Sequence, residues 1–221
     1  MKSRRSAGDV AVIGLGRFGS QIAEALAHLN QQVLAIDADP ERVQRWSERL
    51  TQVVQADGTS ETALRQLGLP DFHRVVVAIG GTLEASVLTV LALNEVGVRD
   101  IWARATSRKH AKILYATGAQ HVIFPEAEMG ERVAHLIVSK LLDFVEFGEN
   151  FALAKTPAPS GLIGRRLADI DIRERFGVLV VGVRTSDNRY EYARPDVVIK
   201  PDSTLIVEGS IEQVQRFSAM S

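Results

Sequence analysis

Blocks of apolar and polar residues alternate from residue 9 to residue 124 and predict six strands with helices between them. The strand blocks are short and continuously apolar, as in Val10–Ile13, which is typical of parallel strands buried on both faces. The blocks between them space apolar residues by three and four positions, as at Ile22, Leu26 and Leu29, which is the period of an amphipathic helix. The predicted strands are 10–13, 33–37, 52–55, 74–79, 101–105 and 121–124. This alternation predicts an α/β domain with a doubly wound parallel sheet.

Polar residues before two of the predicted helices have the character of N-terminal caps. Asp39 precedes Pro40, and proline is favoured at the first helical position, so a helix is predicted from residue 40. Thr59 or Ser60 is expected to cap the helix after the third strand. Both helices are therefore expected to begin close to the ends of the strands they follow.

The pattern changes at Pro125, which ends the predicted sheet. From Glu128 to Leu142 apolar residues recur at helical spacing and predict one long helix. Two interpretations stay open: the helix is a connector that packs on another subunit, or it is a seventh helix covering the same sheet. The expected organisation is a first domain over 8–126, a crossover or dimerisation helix over 127–144, and a second domain over 145–221.

The C-terminal part predicts a small α+β domain rather than a second parallel sheet. A short alternating strand is predicted at 144–147, and the proline-rich stretch 156–161 is predicted to be a loop. A helix is predicted at 166–175, followed by a strand at 178–183. The remaining predicted elements are a turn at 186–188 leading into a hairpin strand at 189–192, a strand at 205–207 and a helix at 210–217.

A glycine-rich turn follows the first predicted strand. Gly14, Gly16 and Gly19 form a G-x-G-x-x-G pattern, and Asp37 ends the second strand about twenty residues later. In this pattern Gly14 permits the tight turn, Gly16 lets a pyrophosphate approach the backbone, and Gly19 allows close packing of helix and strand. The free amides and the positive dipole of the helix start favour an anion. A nucleotide is the expected ligand, against the alternative of a close-packed turn.

Composition narrows the class of protein. The 221 residues carry a formal net charge of -1, which argues against nucleic acid as the main partner. Cysteine is absent, which excludes disulfides, thiolate metal sites and cysteine nucleophiles. Lys2, Arg4 and Arg5 precede a strand rather than the apolar core of a signal peptide, and no apolar run approaches the ~20 residues that span a bilayer. The chain is therefore expected to be soluble and cytoplasmic.

The sequence contains no recognisable catalytic motif. Its histidines, at positions 28, 73, 110, 121 and 135, have neither metal-ligand nor triad spacing. No P-loop lysine follows the glycine-rich turn, and the serines lack a nucleophile-elbow context. The protein is therefore expected not to be an enzyme and to bind its nucleotide as a signal. Two alternatives stay open: an NAD(H)-binding redox-sensing regulator and an NAD-dependent oxidoreductase.

Four places near the turn carry specific predictions. Asp37 is expected to accept hydrogen bonds from ribose hydroxyl groups. Residues 57–59 are expected beside the adenine ring, with a turn and helix cap as the alternative. Arg17 is expected to bind a terminal phosphate, with a solvated surface arginine as the alternative. Glu126 is expected to hold Mg²⁺ or Ca²⁺, or else to be a plain acid at a helix N-terminus.

Taken together, these motifs resemble one family. The run 11–19 with Asp37, the segments 56–59 and 77–80, and the segment 124–130 are similar to the KtrA/TrkA family of regulators of potassium transport, and most to its Ktr type. In the C-terminal part, 171–173 and 176–177 resemble the family's RCK C domain, where RCK stands for regulator of potassium conductance. The resemblance implies a Rossmann-like RCK N domain followed by a small α+β RCK C domain.

The resemblance also implies a function. Such proteins are cytosolic regulatory subunits that gate a membrane-embedded K⁺ transporter or channel subunit. Their dimers assemble into an octameric ring whose shape differs between ATP and ADP. The nucleotide site implied by the match comprises Gly14, Gly16, Arg17, Phe18, Gly19, Asp37, Asp57, Gly58, Thr59, Ile79 and Arg104.

Two further ligands are implied by the same resemblance. Glu126 matches the acid implicated in divalent cation binding between neighbouring subunits. The C domain of several relatives binds cyclic di-AMP at a dimer interface. The positions implied for that ligand are Ile163, Asp171, Ile172, Arg173 and Pro195.

Overall fold

The structure, a computed structural model, describes residues 9–148, 150–184 and 189–221. It divides into two compact units, with the boundary between Glu126 and Ala127. Each unit has its own sheet and its own core. The assignment of 127–144 to a separate connecting segment stays a prediction.

The N-terminal unit is a parallel six-stranded sheet with helices on both faces, which confirms the predicted fold class. Its strands lie in the order β3-β2-β1-β4-β5-β6, so the strand order reverses beside β1, where β1 pairs with both β2 and β4. The elements are β1 Val10–Ile13, α1 Arg17–His28, β2 Val33–Asp37, α2 Pro40–Ser47, β3 Gln52–Gln55, α3 Glu61–Gln66, β4 Arg74–Val77, α4 Leu83–Glu95, β5 Ile101–Arg104, α5 Arg108–Ala116 and β6 His121–Ile123.

Two apolar layers cover the two faces of this sheet. Ile13 and Val75 belong to the larger layer, whereas Val12 and Trp46 belong to the other. Successive residues of a strand point to opposite faces, so a strand buried on both sides must be apolar throughout. The fully buried β1 meets this condition, and so does the fully buried β2 up to its last residue, Asp37.

The helix starts follow the expected chemistry. An Asp39 side-chain oxygen accepts a hydrogen bond from the Glu41 amide at 2.9 Å, and Pro40 occupies the first turn. Ser60, and not Thr59, caps the third helix, since its Oγ accepts from the Ala63 amide at 3.3 Å. The strands β4, β5 and β6 end one or two residues before their predicted ends. Residues 78–80, which directly follow β4, line a cleft.

The C-terminal unit contains an antiparallel five-stranded sheet in the order β10-β9-β11-β8-β7, which agrees with the predicted small α+β domain. Its elements are α6 Pro125–Val138, whose first two residues belong to the N-terminal unit, β7 Asp143–Phe147, β8 Phe151–Pro157, α7 Ile172–Phe176, β9 Leu179–Arg184, β10 Tyr190–Tyr192, β11 Thr204–Gly209 and α8 Ile211–Ala219.

Several predictions for this unit were wrong in detail. The long helix was expected at 128–142 but spans Pro125–Val138. Residues 156 and 157, predicted as loop, end the unpredicted strand β8, which lies between β11 and β7. The predicted helix 166–175 is instead a 3₁₀ turn at Leu167–Asp169 followed by the short α7. The predicted turn at 186–188 lies outside the described residues.

Helix α6 presents an apolar stripe to solvent. Met129, Val133 and Ile137 recur every four residues and are 53%, 42% and 77% exposed, whereas Leu136 packs against the core of the C-terminal unit. No residue of α6 is fully buried. Across 9–148, 150–184 and 189–221, none of the helices combines the length and the apolar character needed to cross a membrane.

Candidate functional site

A cleft of about 980 Å³ lies at the carboxyl edge of the parallel sheet. Residues at or shortly after the ends of all six strands line it. They are Gly14 after β1, Asp37 at the end of β2, Asp57 after β3, Ile79 after β4, Arg104 at the end of β5 and Glu126 after β6. This edge, at the point where strand order reverses, is the usual binding position in open α/β sheets.

The cleft brings together almost all of the residues predicted for the nucleotide site. Gly14, Gly16, Arg17, Phe18, Asp37, Asp57, Gly58, Thr59, Ile79 and Arg104 line it, as does Glu126. Gly19 does not line the cleft and is buried beneath the turn. The grouping is a geometric finding, and the role of each residue stays a prediction.

The three glycines of the turn differ in what their positions tolerate. Gly14 has φ +98°, a conformation that residues with a side chain rarely adopt. A Cβ on Gly19 would collide with the Gly14 carbonyl oxygen and lie 2.8 Å from the Ala78 Cβ. A Cβ on Gly16 would meet no atom within 4 Å. No side chain caps α1 at Gly16, which leaves the first backbone amides of the helix for an anion.

Asp37 holds the glycine-rich turn against β2. It is 7% exposed, and its Oδ2 accepts a hydrogen bond from the Leu15 amide at 2.6 Å while Oδ1 accepts from the Asp39 amide at 2.9 Å. Asp37 Oδ2 also accepts from Arg42 Nη1 at 3.4 Å. A carboxylate has about four acceptor positions, so these three bonds leave one for the predicted ribose contact. Asp37 therefore has a structural task that the sequence pattern does not reveal.

Arg42 is a cleft residue that the sequence analysis missed. Its Nη1 lies 3.4 Å from Asp37 Oδ2, and its Nε lies 3.2 Å from Asp39 Oδ2. Arg45 and Trp46 of the same helix also line the cleft. Their position in α2, which begins directly after β2, is the signal that could have found them.

Arg104 and Glu126 form an ion pair at the β5–β6 end of the cleft. Arg104 Nη2 bonds Glu126 Oε1, and Nε lies 3.4 Å from Oε2. Hydrogen bonding by the Arg104 guanidinium, assisted by its charge and that of Arg17, lowers the pKa of Glu126. The guanidinium lies across Gly80, where a Cβ would collide with it. This end of the cleft can therefore present a cation to a phosphate and a carboxylate to a metal ion.

The turn after β3 closes the opposite end of the cleft. Asp57 Oδ1 accepts from the Thr59 amide at 2.9 Å and from the Thr59 hydroxyl at 2.8 Å. Gly58 is buried, and a Cβ there would lie 2.8 Å from Ile13 Cγ2. The turn therefore accounts for the positions of Asp57 and Thr59, and it leaves room for the predicted contact with an adenine ring.

Among the described residues, the N-terminal unit has buried polar atoms without a hydrogen-bond partner, which are Thr89 Oγ1, Ser86 Oγ and His110 Nε2. Of these residues, Thr89 lines the cleft itself. His110 is 1% exposed, and its Nδ1 lies 3.3 Å from the Thr106 amide. Burial lowers the pKa of His110, and the charge of Arg104 lowers it further. Both effects favour the neutral form of the ring.

The residues predicted to bind cyclic di-AMP differ in their exposure, and their role stays a prediction. Ile172 is buried in the core of the C-terminal unit, so its side chain is not available to a ligand. Asp171, Arg173 and Pro195 are exposed, and Ile163 is partly buried. Pro195 lies in the loop after β10, where its carbonyl accepts from the Ala168 amide at 2.9 Å.

Both units match known domain families. Residues 10–125 match the TrkA-N domain, and residues 151–220 match the TrkA-C domain. The two matched segments fall in the parallel and the antiparallel unit, respectively.

Two curated proteins of Bacillus subtilis are similar over nearly the whole chain. Ktr system potassium uptake protein C is 39% identical over 210 residues, covering 95% of each chain. Ktr system potassium uptake protein A is 31% identical over 208 residues, covering 94% of each. The Vibrio alginolyticus Ktr system potassium uptake protein A is 35% identical over 199 residues, covering 90% of this chain and 87% of the relative.

Solved structures with the same fold include the GsuK RCK domain, with a TM-score of 0.68 at 17% identity over 100% of this chain. The GsuK channel bound to NAD gives a TM-score of 0.67 at 17% identity over 99% of this chain. This chain spans 48% of the first of those chains and 40% of the second. GsuK bound to ADP aligns with 59% of this chain and 34% of its own, with a TM-score of 0.52 at 24% identity.

Proposed function

Because this chain belongs to the Ktr/TrkA family of potassium uptake proteins, we propose that it is a nucleotide-sensing regulatory subunit of a membrane potassium transporter. ATP and ADP bind in the cleft of the N-terminal unit and control the transporter through the shape of an oligomer. The protein acts at the cytosolic face of the membrane and catalyses no reaction of its own. The observation that carries this proposal is the convergence of six strand ends on one cleft.

The cleft provides suitable groups for each part of an adenine nucleotide. The open backbone at Gly16 admits phosphates to the start of α1. Asp37 favours a ribose with free hydroxyls and repels a 2′-phosphate. Arg17 and Arg104 supply two guanidinium groups for terminal phosphates. An ATP γ-phosphate therefore gains contacts that ADP lacks.

A divalent cation, Mg²⁺ or Ca²⁺, fits the same end of the cleft. Glu126 is 64% exposed on its side chain and ionised through its pairing with Arg104. Carboxylate oxygens are the ligands that both ions prefer. With nucleotide bound, Glu126 would hold the cation and Arg104 would bind phosphate, so that the two ligands would reinforce each other.

NAD(H) is the second candidate ligand. Asp37 suits the ribose of either nucleotide, and the structurally similar GsuK channel has been solved with NAD and with ADP. An NAD(H)-sensing regulator would use the same glycine-rich turn but would not need Arg17. The relative affinities for ATP and NADH therefore separate the two candidates.

Assembly into dimers, and of dimers into an octameric ring, is supported by two exposed apolar surfaces. One is the stripe Met129, Val133 and Ile137 on α6. The other is a groove of about 560 Å³ in the N-terminal unit, which includes Leu26, Leu29 and Trp102. Exposed apolar surfaces of this kind mark contacts between proteins. We propose that α6 contributes to the dimer interface.

Calorimetry with ATP, ADP and NADH on four chains tests the nucleotide site. Gly16→Ala is expected to abolish binding while leaving stability intact, because its Cβ projects into open space beside the phosphate path. Arg17→Ala is expected to weaken ATP more than ADP. The matched control is Arg99→Ala, an exposed arginine two residues before the start of β5, and so at the opposite edge of the sheet.

Three results would count against the nucleotide proposal. They are equal losses of ATP and ADP in Arg17→Ala, binding by Gly16→Ala at wild-type strength, and NADH displacing ATP at lower concentrations than ADP does. Light scattering measures the oligomer in the same samples. A monomer with and without nucleotide would contradict the ring.

Potassium flux tests the regulatory role itself. The chain is added to proteoliposomes that contain a Ktr-type membrane subunit, and K⁺ uptake is compared in ATP and in ADP. ATP is expected to favour the conducting state, since a ligand shifts a gate only by its different affinity for the two states. Equal flux in both nucleotides would refute this role. Cyclic di-AMP, whose predicted site is in the C-terminal unit, is tested in the same assay.

A further inference from the structure

A group of metal-binding side chains lies in the C-terminal unit, outside the nucleotide cleft. It consists of Glu131 and His135 on α6 and Glu146 on β7, and one ligand atom of each lies within 4.8 Å of the others. We propose that these three residues bind a divalent transition-metal ion of the Zn²⁺ type.

The residue spacing of an α-helix and that of a β-strand bring the three side chains together. Glu131 and His135 are four residues apart, so they lie on one face of α6. Phe144 and Glu146 are two residues apart, so they project from one face of the sheet. His135 stacks on Phe144, with ring centroids 4.5 Å apart. The stacking of His135 on Phe144 therefore also places His135 close to Glu146.

His135 is held in a defined orientation. Its Nδ1 lies 2.9 Å from the side-chain amide of Gln215 on α8, and Phe144 fixes the plane of the ring. A metal-binding histidine characteristically has its second ring nitrogen engaged by a neighbouring polar group, which fixes the tautomer. When the Gln215 amide is turned so that its oxygen accepts from Nδ1–H, Nε2 is the unprotonated nitrogen and serves as the ligand atom.

The charges of the group are not balanced by basic side chains. Asp143, on the same strand, pairs with Arg132, and Glu126 pairs with Arg104. Among the described residues, neither Glu131 nor Glu146 forms an ion pair with lysine or arginine. Two carboxylates this close repel each other, and a divalent cation between them removes the repulsion.

The ligand types select the class of metal. Mg²⁺ and Ca²⁺ take oxygen ligands, whereas imidazole suits Zn²⁺ and its transition-metal neighbours. One histidine and two carboxylates provide three protein ligands, and water can complete the sphere because Glu131 is exposed. A bound ion would tie α6 to the edge strand β7, two elements that both belong to the C-terminal unit.

Zn²⁺ calorimetry on the full chain, stripped by chelator and free of nucleotide, tests the proposal. One ion per chain is expected, with affinity reduced at least about tenfold in both Glu131→Gln and Glu146→Gln. Glu212→Gln, an exposed glutamate on α8 of the same unit, is the matched control and is expected to bind as the wild type does. Both glutamine variants keep the side-chain shape, so their folding is not at risk.

Two further readouts separate this site from the nucleotide cleft. Glu126→Gln is expected to retain Zn²⁺ binding, and excess Mg²⁺ is expected not to displace the ion. Co²⁺ bound to the wild type is expected to show a d–d absorption band that reports nitrogen ligation. His135→Gln is expected to remove this band. The proposal is overturned if no Zn²⁺ binds at up to about millimolar concentration, or if Glu131→Gln and Glu146→Gln bind it as tightly as the wild type.

Discussion

The two units of this protein place polar chemistry differently. In the N-terminal unit, parallel strands all end at one edge, and residues from all six strand ends converge on one cleft. In the C-terminal unit, antiparallel strands end at alternate edges. The metal site proposed there lies between a helix face and a strand face.

The difference also determines how much change each site tolerates. The glycine-rich turn is closely packed, with buried Gly19 and Asp37 holding it from below and from the side. The glutamates of the C-terminal group have no such structural duty. Substitutions of similar kind in the two units should therefore lower the free energy of unfolding by unequal amounts.

The largest difference is expected between Gly19→Ala and Gly161→Ala. The first Cβ collides with the Gly14 carbonyl and approaches Ala78, and we expect it to cost about 3 kcal/mol. The second Cβ meets no atom within 4 Å, and its cost is expected to stay within about 0.5 kcal/mol. Urea unfolding measures both losses of stability. Tryptophan fluorescence is the probe for Gly19→Ala, and circular dichroism is the probe for Gly161→Ala.

The fluorescence measurement is selective because both tryptophans, Trp46 and Trp102, lie in the N-terminal unit. Equal stabilities for the two glycine variants would show that the turn relaxes around a methyl group. The two units would then tolerate these glycine substitutions equally well.

The next difference is expected between Asp37→Asn and Asp171→Asn. Asn retains one acceptor oxygen, so one of the two backbone amides that Asp37 accepts from, of Leu15 or of Asp39, loses its partner, at about 2 kcal/mol. Asp171 is exposed and makes no side-chain cap bond at α7, so its substitution should be close to neutral. Urea unfolding tests this pair, and a smaller cost for Asp37→Asn than for Asp171→Asn would contradict it.

A smaller, pH-dependent difference is expected at His110. Burial lowers its pKa in the folded protein, so the unfolded chain takes up the proton first as the pH falls below about 6.5. The free energy of unfolding should therefore decline between neutral pH and pH values below that point. The decline should be shallower in His110→Gln.

The pH series is measured by urea unfolding, with exposed His28→Gln as the control that keeps His110 in place. Identical pH slopes in His110→Gln and in the wild type would remove His110 as the source.

The smallest effects should differ in sign between the units. Glu126→Gln removes an ion pair with Arg104 that is exposed on the glutamate side, and Glu131→Gln removes a repulsion from Glu146. Glu126→Gln should lower the free energy of unfolding and Glu131→Gln should raise it, each by less than about 0.5 kcal/mol. Calorimetric melting in chelator measures both. Two changes of the same sign would contradict the difference in charge balance.

The N-terminal fold and most cleft residues were predictable because each lies within a short strand–turn–helix segment. Gly14 and Asp37 stand at or next to strand ends that the apolar blocks located, whereas Arg104 was implied by the family resemblance. Arg42 was missed because it belongs to a helix that the pattern treats as surface. Its contact with Asp37 depends on how α2 packs.

The C-terminal unit was less predictable because its buried positions are small. Strand β8 buries Ala152, Ala154 and Thr156, which do not produce the strong apolar alternation of a typical strand. The segment 166–175 has apolar residues at helical spacing, yet it forms a 3₁₀ turn and a short helix. Local spacing cannot distinguish these outcomes when the strand partners come from distant parts of the chain.

The sequence by itself determined the alternation of strands and helices, the glycine-rich turn and the acid at the end of β2, because these depend on local periodicity and on neighbouring residues. Only the tertiary structure decided that Arg104 meets Glu126, that Asp37 holds the Leu15 amide, and that His135 stands beside Glu146. These contacts join residues far apart in the chain. Their distances are set by how sheets and helices pack, a balance of burial and sterics that no single segment encodes.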